Sequence, residues 1–150
     1  KQAWQREFEK TAARLQKNQQ LWEEKHISNY NFVIEKSDSG QTVIPKGAPD
    51  KFSTWKRFPV LIKVRNGEKF SIEKVEKGED TIVSRTDGFE DFDTIDKLFK
   101  FLTQEHDKGR MLNVKYNKTF GYPEGASITG SYQNHDYFSI WIKKFEITKE

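Results

Sequence analysis

The stretch from Val114 to Ile128, read Val-Lys-Tyr-Asn-Lys-Thr-Phe-Gly-Tyr-Pro-Glu-Gly-Ala-Ser-Ile, constrains this chain more than any other. Leu112, Val114 and Tyr116 alternate on one face of a strand, and Ala126, Ile128 and Tyr132 do so beyond a turn. Phe120, Tyr122 and Pro123 surround Gly121, and Gly125 supplies a second loose joint. Pro123 also pushes Tyr122 toward an extended backbone, which narrows the directions its ring can take. The rest of the chain is read as covering or extending this hairpin. The Phe-Gly-Tyr-Pro turn is read as a structural lock, with the Tyr122 ring on the core edge and its hydroxyl on a polar neighbour. The alternative is that the same rigidity presents Tyr122 to a ligand.

Upstream, residues 2–25 read as one long amphipathic helix. Trp4, Phe8, Ala12, Leu15, Gln19 and Trp22 recur at intervals of three and four, with Leu21 widening the stripe. Heptads are not sustained and the polar face carries both signs of charge, so a helix docked on a sheet is expected. Ser28-Asn29 ends it, and Tyr30, Phe32 and Ile34 alternate as a strand. Residues 37–58 are irregular, with Gly40, Pro45, Gly47 and Pro49 close together, and read as a long loop. In its second half Phe52, Trp55 and Phe58 lie among Lys51, Lys56 and Arg57. Rings among cations can grip nucleic acid or a glycan, or the rings can simply tuck into the core.

Val60, Ile62 and Val64 form the next strand, and Asn66-Gly67 is a strong two-residue hairpin signal. Phe70 and Ile72 continue the return strand, and Val75 breaks its alternation, as at a bulge or a fraying end. Asp93-Thr-Ile-Asp96 reads as a helix start, with Asp93 as the cap and Asp96 at the positive helix end. Ile95, Leu98, Phe99 and Leu102 give that helix a core face up to Lys108-Gly109. The last strand, Tyr137 to Ile147, has Phe138, Ile140 and Ile142 on one parity and Trp141, Phe145 and Ile147 on the other. Such a strand is covered on both sides or shifts register near Lys143-Lys144. The order is α-β-β-β-α-β-β-β. It predicts a single α+β domain over 1–150, in which two helices cover one curved antiparallel sheet.

Composition fits one domain. A chain of 150 residues can bury a proper core, and although only 34% of it is hydrophobic, 12 Phe, 5 Tyr and 4 Trp make that fraction bulky. A net charge of +3 with mixed signs gives no nucleic-acid signature. With no Cys, thiolate chemistry and disulfides are excluded. His26, His106 and His135 lack the i, i+4 spacing of a helical zinc site. The acidic run Asp87 to Asp93 lacks the donor pattern of a calcium loop and reads as a turn leading into a helix. Neither a nucleophile elbow, a phosphate-cradling loop nor a dinucleotide fingerprint is present, and no cofactor or metal is expected.

Four segments in order carry a family resemblance: Leu21-Trp22 with Ile27-Ser-Asn-Tyr-Asn-Phe32; Pro59 to Val64 with Arg65-Asn-Gly67; Asp93-Thr-Ile-Asp-Lys-Leu-Phe99; and Val114-Lys-Tyr116 leading to Phe120-Gly-Tyr-Pro123. Together, over residues 20–147, they resemble a bacterial family of domains of unknown function found mostly in secreted proteins and lipoproteins. The resemblance implies an extracytoplasmic location and a fold, and it implies no reaction. Many relatives carry a cysteine pair after the first strand, where this chain has none.

The expected function is therefore a non-enzymatic extracytoplasmic binding or accessory domain. Its expected partner is a protein or an envelope component, with no specific nucleic acid. Since the chain opens on Lys1, contact with a membrane is expected only through an N-terminal anchor removed in processing. The candidate binding residues are Phe52, Trp55, Lys56, Arg57 and Tyr122. The alternatives are an envelope-associated hydrolase using carboxylate or tyrosine chemistry, and a weak polyanion-binding module.

Overall fold

Tyr30, Phe32 and Ile34 are fully buried on one face of strand β1 (Tyr30–Asp38), and this strand lies at the centre of the molecule. The computed structural model describes residues 2–38, 58–75, 89–129 and 137–149. In chain order the elements are helix α1 (Ala3–Glu24), β1, β2 (Phe58–Arg65), β3 (Glu68–Lys74), a 3₁₀ turn (Glu90–Phe92), helix α2 (Ile95–Asp107), β4 (Met111–Tyr116), β5 (Pro123–Thr129) and β6 (Tyr137–Ile147). The strands make one open antiparallel sheet in the order β3-β2-β1-β6-β5-β4. The expected α+β order and antiparallel sheet are thus observed.

The sheet corrects the expectation that the chain is built around the β4–β5 hairpin. That hairpin forms one end of the sheet and β2–β3 the other, with β1 and β6 paired between them. The two strands that join the halves come from opposite ends of the chain, which local alternation cannot reveal. The ends of the expected 37–58 loop are strand, since β1 runs to Asp38 and β2 begins at Phe58. Residues 39–57 lie outside the described residues.

Both helices cover the face that carries Val60, Ile62, Val64, Leu112, Ala126, Ile128, Ile140 and Ile142, all buried. Helix α2 contributes Ile95, Leu98, Phe99 and Leu102, each at most 1% exposed, as its periodicity predicts. Its cap is Thr94 and not Asp93. The Thr94 hydroxyl accepts from the Lys97 N–H at 3.1 Å, while the Asp93 carboxylate takes the Lys97 ammonium at 2.9 Å. Helix α1 buries Thr11, Leu15 and Trp22. Trp4, assigned to the same stripe from its spacing, stands 57% exposed with its indole N–H on the Gln2 side chain at 2.7 Å. The docked part of α1 starts one turn later, where Phe8 stacks on His106 at 3.8 Å between ring centroids. His106 is itself buried and its Nε2–H donates to the Phe8 carbonyl at 2.8 Å, so this histidine fastens the two helices together.

Two bulges explain the irregular alternations. Phe70 is the extra residue of β3 between the Lys63–Ser71 and Val64–Lys69 pairs, and it is 70% exposed. Strand β3 then ends at Lys74, so the break in alternation expected at Val75 is the end of the strand. In β6 the register against β1 shifts between Lys143 and Glu146, with Lys144 at φ 52°. This is the shift expected near Lys143-Lys144, and it returns Phe145 to the helix side after Trp141 has faced the other way.

Candidate functional site

Tyr122 is the one candidate binding residue among those described; Phe52, Trp55, Lys56 and Arg57 lie outside them. The structure places Tyr122 inside the core, only 7% exposed, in a cluster of rings under the end of α1. Its ring stacks on Phe145 at 4.3 Å and meets the edge of Trp22 at 6.4 Å, while Trp22 also meets Tyr30 at 5.3 Å and Phe145 at 5.9 Å. Such packed rings are held by area and by edge-to-face geometry. The Tyr122 hydroxyl accepts from the Asn117 side-chain amide at 3.4 Å. Burial pushes the Tyr122 phenol up from its ordinary range, the Glu124 carboxylate pushes it further, and the Asn117 contact opposes both. The ring is thus held neutral and offers little surface to a partner.

Asn117 organises the turn that positions this ring. Its side-chain oxygen accepts from the Thr119 and Phe120 N–H groups at 3.0 and 2.8 Å, an Asx turn. Its backbone closes on Tyr122 O and Gly121 N at 2.8 and 2.9 Å. Gly121 has φ 84°, and a Cβ there would sit 2.5 Å from the Asn18 carbonyl oxygen of α1. The glycine lets the turn press directly on the helix backbone.

The face of β4, β5 and β6 opposite the two described helices carries a different feature. The register aligns Lys115 with Gly125 and Gly125 with Trp141, so a residue without a side chain sits at the centre of three strands. A dent of about 430 Å³ results, lined by Asn113, Lys115, Glu124, Gly125, Ala126, Ser127 and Trp141. Its size falls within the range of small-ligand sites. A Cβ on Gly125 would lie 3.4 Å from Trp141 Cδ1 and 3.9 Å from Nε1, so an edge of the indole borders the glycine. The shift in register between Lys115 and Tyr116 makes Glu124 a bulge residue, and Asn117 donates to its carboxylate at 3.2 Å. Beside Trp141 in register, the buried Glu35 pairs with Lys143 at 3.4 Å. Among the described residues no group of three His, Asp or Glu side chains is placed to hold a metal ion.

Sequence reading noticed the parity of Trp141 but missed the dent. Its signal was the polar parity of β4 and β5, where Asn113, Lys115, Gly125 and Ser127 alternate with the buried Leu112, Ala126 and Ile128. Only strand pairing brings that parity to Trp141. A second hollow, of about 330 Å³, lies between the 3₁₀ turn and α2, lined by Glu90, Asp91, Lys97, Lys100, Phe101 and Gln104. There Lys97 is already engaged by Asp93 at 2.9 Å and by the Glu90 carbonyl at 3.3 Å.

Fold and site together define an α+β domain whose open sheet carries two helices on one face and, among the described residues, a dent on the other. The chain belongs to a family of unknown function, DUF6174, whose profile matches residues 50–147. No curated protein and no solved structure matches it. The matched span holds five strands of the sheet and omits β1, one of the two strands that join its halves.

Proposed function

We propose that this chain is a non-enzymatic, extracytoplasmic binding or accessory domain, and that it engages its partner through the sheet face around Trp141, opposite α1 and α2. The observation that carries this reading is the dent itself: a Trp and four polar side chains converge on a strand position where glycine leaves room. Convergent polar groups around an apolar surface are the usual form of a binding site. The extracytoplasmic part rests on the motif resemblance alone. Catalysis by Tyr122 is disfavoured, because its ring is 7% exposed and packed on Phe145, out of reach of a substrate.

The test is retention on isolated bacterial envelope material, comparing the full chain with Trp141→Ala and Lys115→Glu. Both variants are expected to keep the melting temperature within a few degrees and to lose retention. Unchanged retention in both would move the binding surface elsewhere. Turnover of envelope polymer by the unmodified chain would overturn the non-enzymatic reading.

A further inference from the structure

We infer that the dent on β4, β5 and β6 takes a pyranose ring of a glycan, stacked on the indole of Trp141. The inference rests on the proposed binding role of this face and names the chemistry of its ligand. One wall of the dent is the Trp141 indole bordering Gly125, Ala126 adds a small apolar patch, and Asn113, Lys115, Glu124 and Ser127 make the rest polar. Lys115 can only donate hydrogen bonds, Glu124 as a carboxylate can only accept them, and Asn113 and Ser127 can do both. A ligand matched to this lining has one flat C–H face and an edge that both donates and accepts.

A pyranose has that form. Its axial C–H bonds carry partial positive charge, which suits the negative face of an aromatic ring, and its hydroxyls are dual donors and acceptors. Other classes fit less well. An anion such as phosphate gains from Lys115 but meets Glu124, and a cation meets the reverse. An apolar side chain would find the indole and then strip water from the surrounding polar groups without replacing their hydrogen bonds. Gly125 is what permits the stack, because a side chain there would fill the dent between Lys115 and Trp141. The open, shallow shape points to weak binding to each sugar unit, with useful strength reached when several domains act on one polymer.

The experiment is a titration of the full isotope-labelled chain with chitohexaose and, separately, cellohexaose, followed by amide and indole N–H resonances. The expected result is saturable movement of the Trp141 indole and of the Asn113, Gly125 and Ser127 amides with at least one sugar. Trp141→Ala is expected to weaken binding about tenfold or more, roughly the 1.4 kcal/mol that a decade in affinity represents. Trp4→Ala, which removes the exposed indole on α1, is expected to leave it unchanged. Trp141→Phe keeps a smaller ring and guards against a folding defect, with intermediate affinity expected. No movement with either sugar, or movement that survives Trp141→Ala, overturns the inference. If the sugars do nothing while retention on envelope material still depends on Trp141, the glycan assignment falls and the binding role stands. If neither effect appears, both fall.

Discussion

The two hairpins at the ends of the sheet solve the same problem, reversing a strand, by opposite means. Between β2 and β3 the reversal takes two residues, Asn66 at φ 53° and Gly67 at φ 77°, the paired left-handed residues of a tight hairpin turn. A Cβ on Gly67 would meet nothing within 4 Å. Between β4 and β5 the reversal takes residues 117–122, and its glycine is pressed against Asn18 and Leu21 of α1. The β2–β3 turn leaves the space around its glycine open, and its Gly67 and Asn66 N–H groups donate to the Ser28 carbonyl and the Asn29 side-chain oxygen, each at 2.9 Å. The other is part of the packing between helix and sheet. A glycine with positive φ thus means two things: at Gly67 only a backbone preference, and at Gly121 that preference together with a close approach.

The largest expected effect tests whether either hairpin stands without the centre of the sheet. A chain starting at residue 50 keeps both hairpins and loses α1 and β1. It is expected to show no cooperative thermal unfolding, because β2 and β6 lose their shared neighbour and the buried faces of Tyr30, Phe32 and Ile34 disappear. A cooperative transition by circular dichroism would show that β2 can pair with β6 directly.

Next in size is the contrast of glycines. Gly121→Ala is expected to destabilise by about 3 kcal/mol, since strained φ and a collision with the α1 backbone act together. Gly67→Ala should lose only about 1 kcal/mol, from the φ preference alone. Denaturant titration of the two variants reads this directly, and equal losses would dissolve the distinction drawn here.

A smaller effect is expected at Asn117, whose side chain ties Thr119, Phe120, Tyr122 and Glu124 together. Asn117→Ala should lose about 1–2 kcal/mol, whereas Tyr122→Phe, which keeps the ring and removes only the hydroxyl, should lose well under 1 kcal/mol. If Tyr122→Phe proves the costlier of the two, the hydroxyl rather than the ring is what holds this turn.

The smallest effect at neutral pH appears only in alkali. Burial raises the phenols of Tyr30, Tyr116 and Tyr122, that of Tyr116 to about 12. A raised phenol favours the folded state while it stays protonated. Its contribution is complete below about pH 10, the ordinary tyrosine value, and is lost as pH rises toward the folded value. Melting temperature is therefore expected to fall steeply above pH 10, and less steeply in Tyr116→Phe. Parallel curves for the two chains would exclude Tyr116 from this linkage.

Much of this architecture was legible in residue spacing. The helix over Ile95–Asp107, the alternation of Tyr30, Phe32 and Ile34, and the Asn66-Gly67 turn each depend on neighbours within a few residues. Short-range periodicity records them because one turn of helix or one pleat of strand sets which side faces the core. The misassignments share a different cause. Trp4 has helical spacing but lies beyond the docked part of α1, and Phe70 has strand spacing but falls on a bulge. His106 has no spacing partner in the sequence, and its role comes from Phe8, which stacks on it from another helix.

By itself, then, the sequence determined which segments are helix or strand, their order along the chain and most of their buried faces. Local geometry is enough for those. The tertiary structure decided the neighbour order β3-β2-β1-β6-β5-β4, the close approach of Gly121 to α1, and the dent at Gly125. Each is a contact between residues far apart in the chain. A glycine between strands is only a missing side chain until the register sets Lys115 on one side of it and Trp141 on the other.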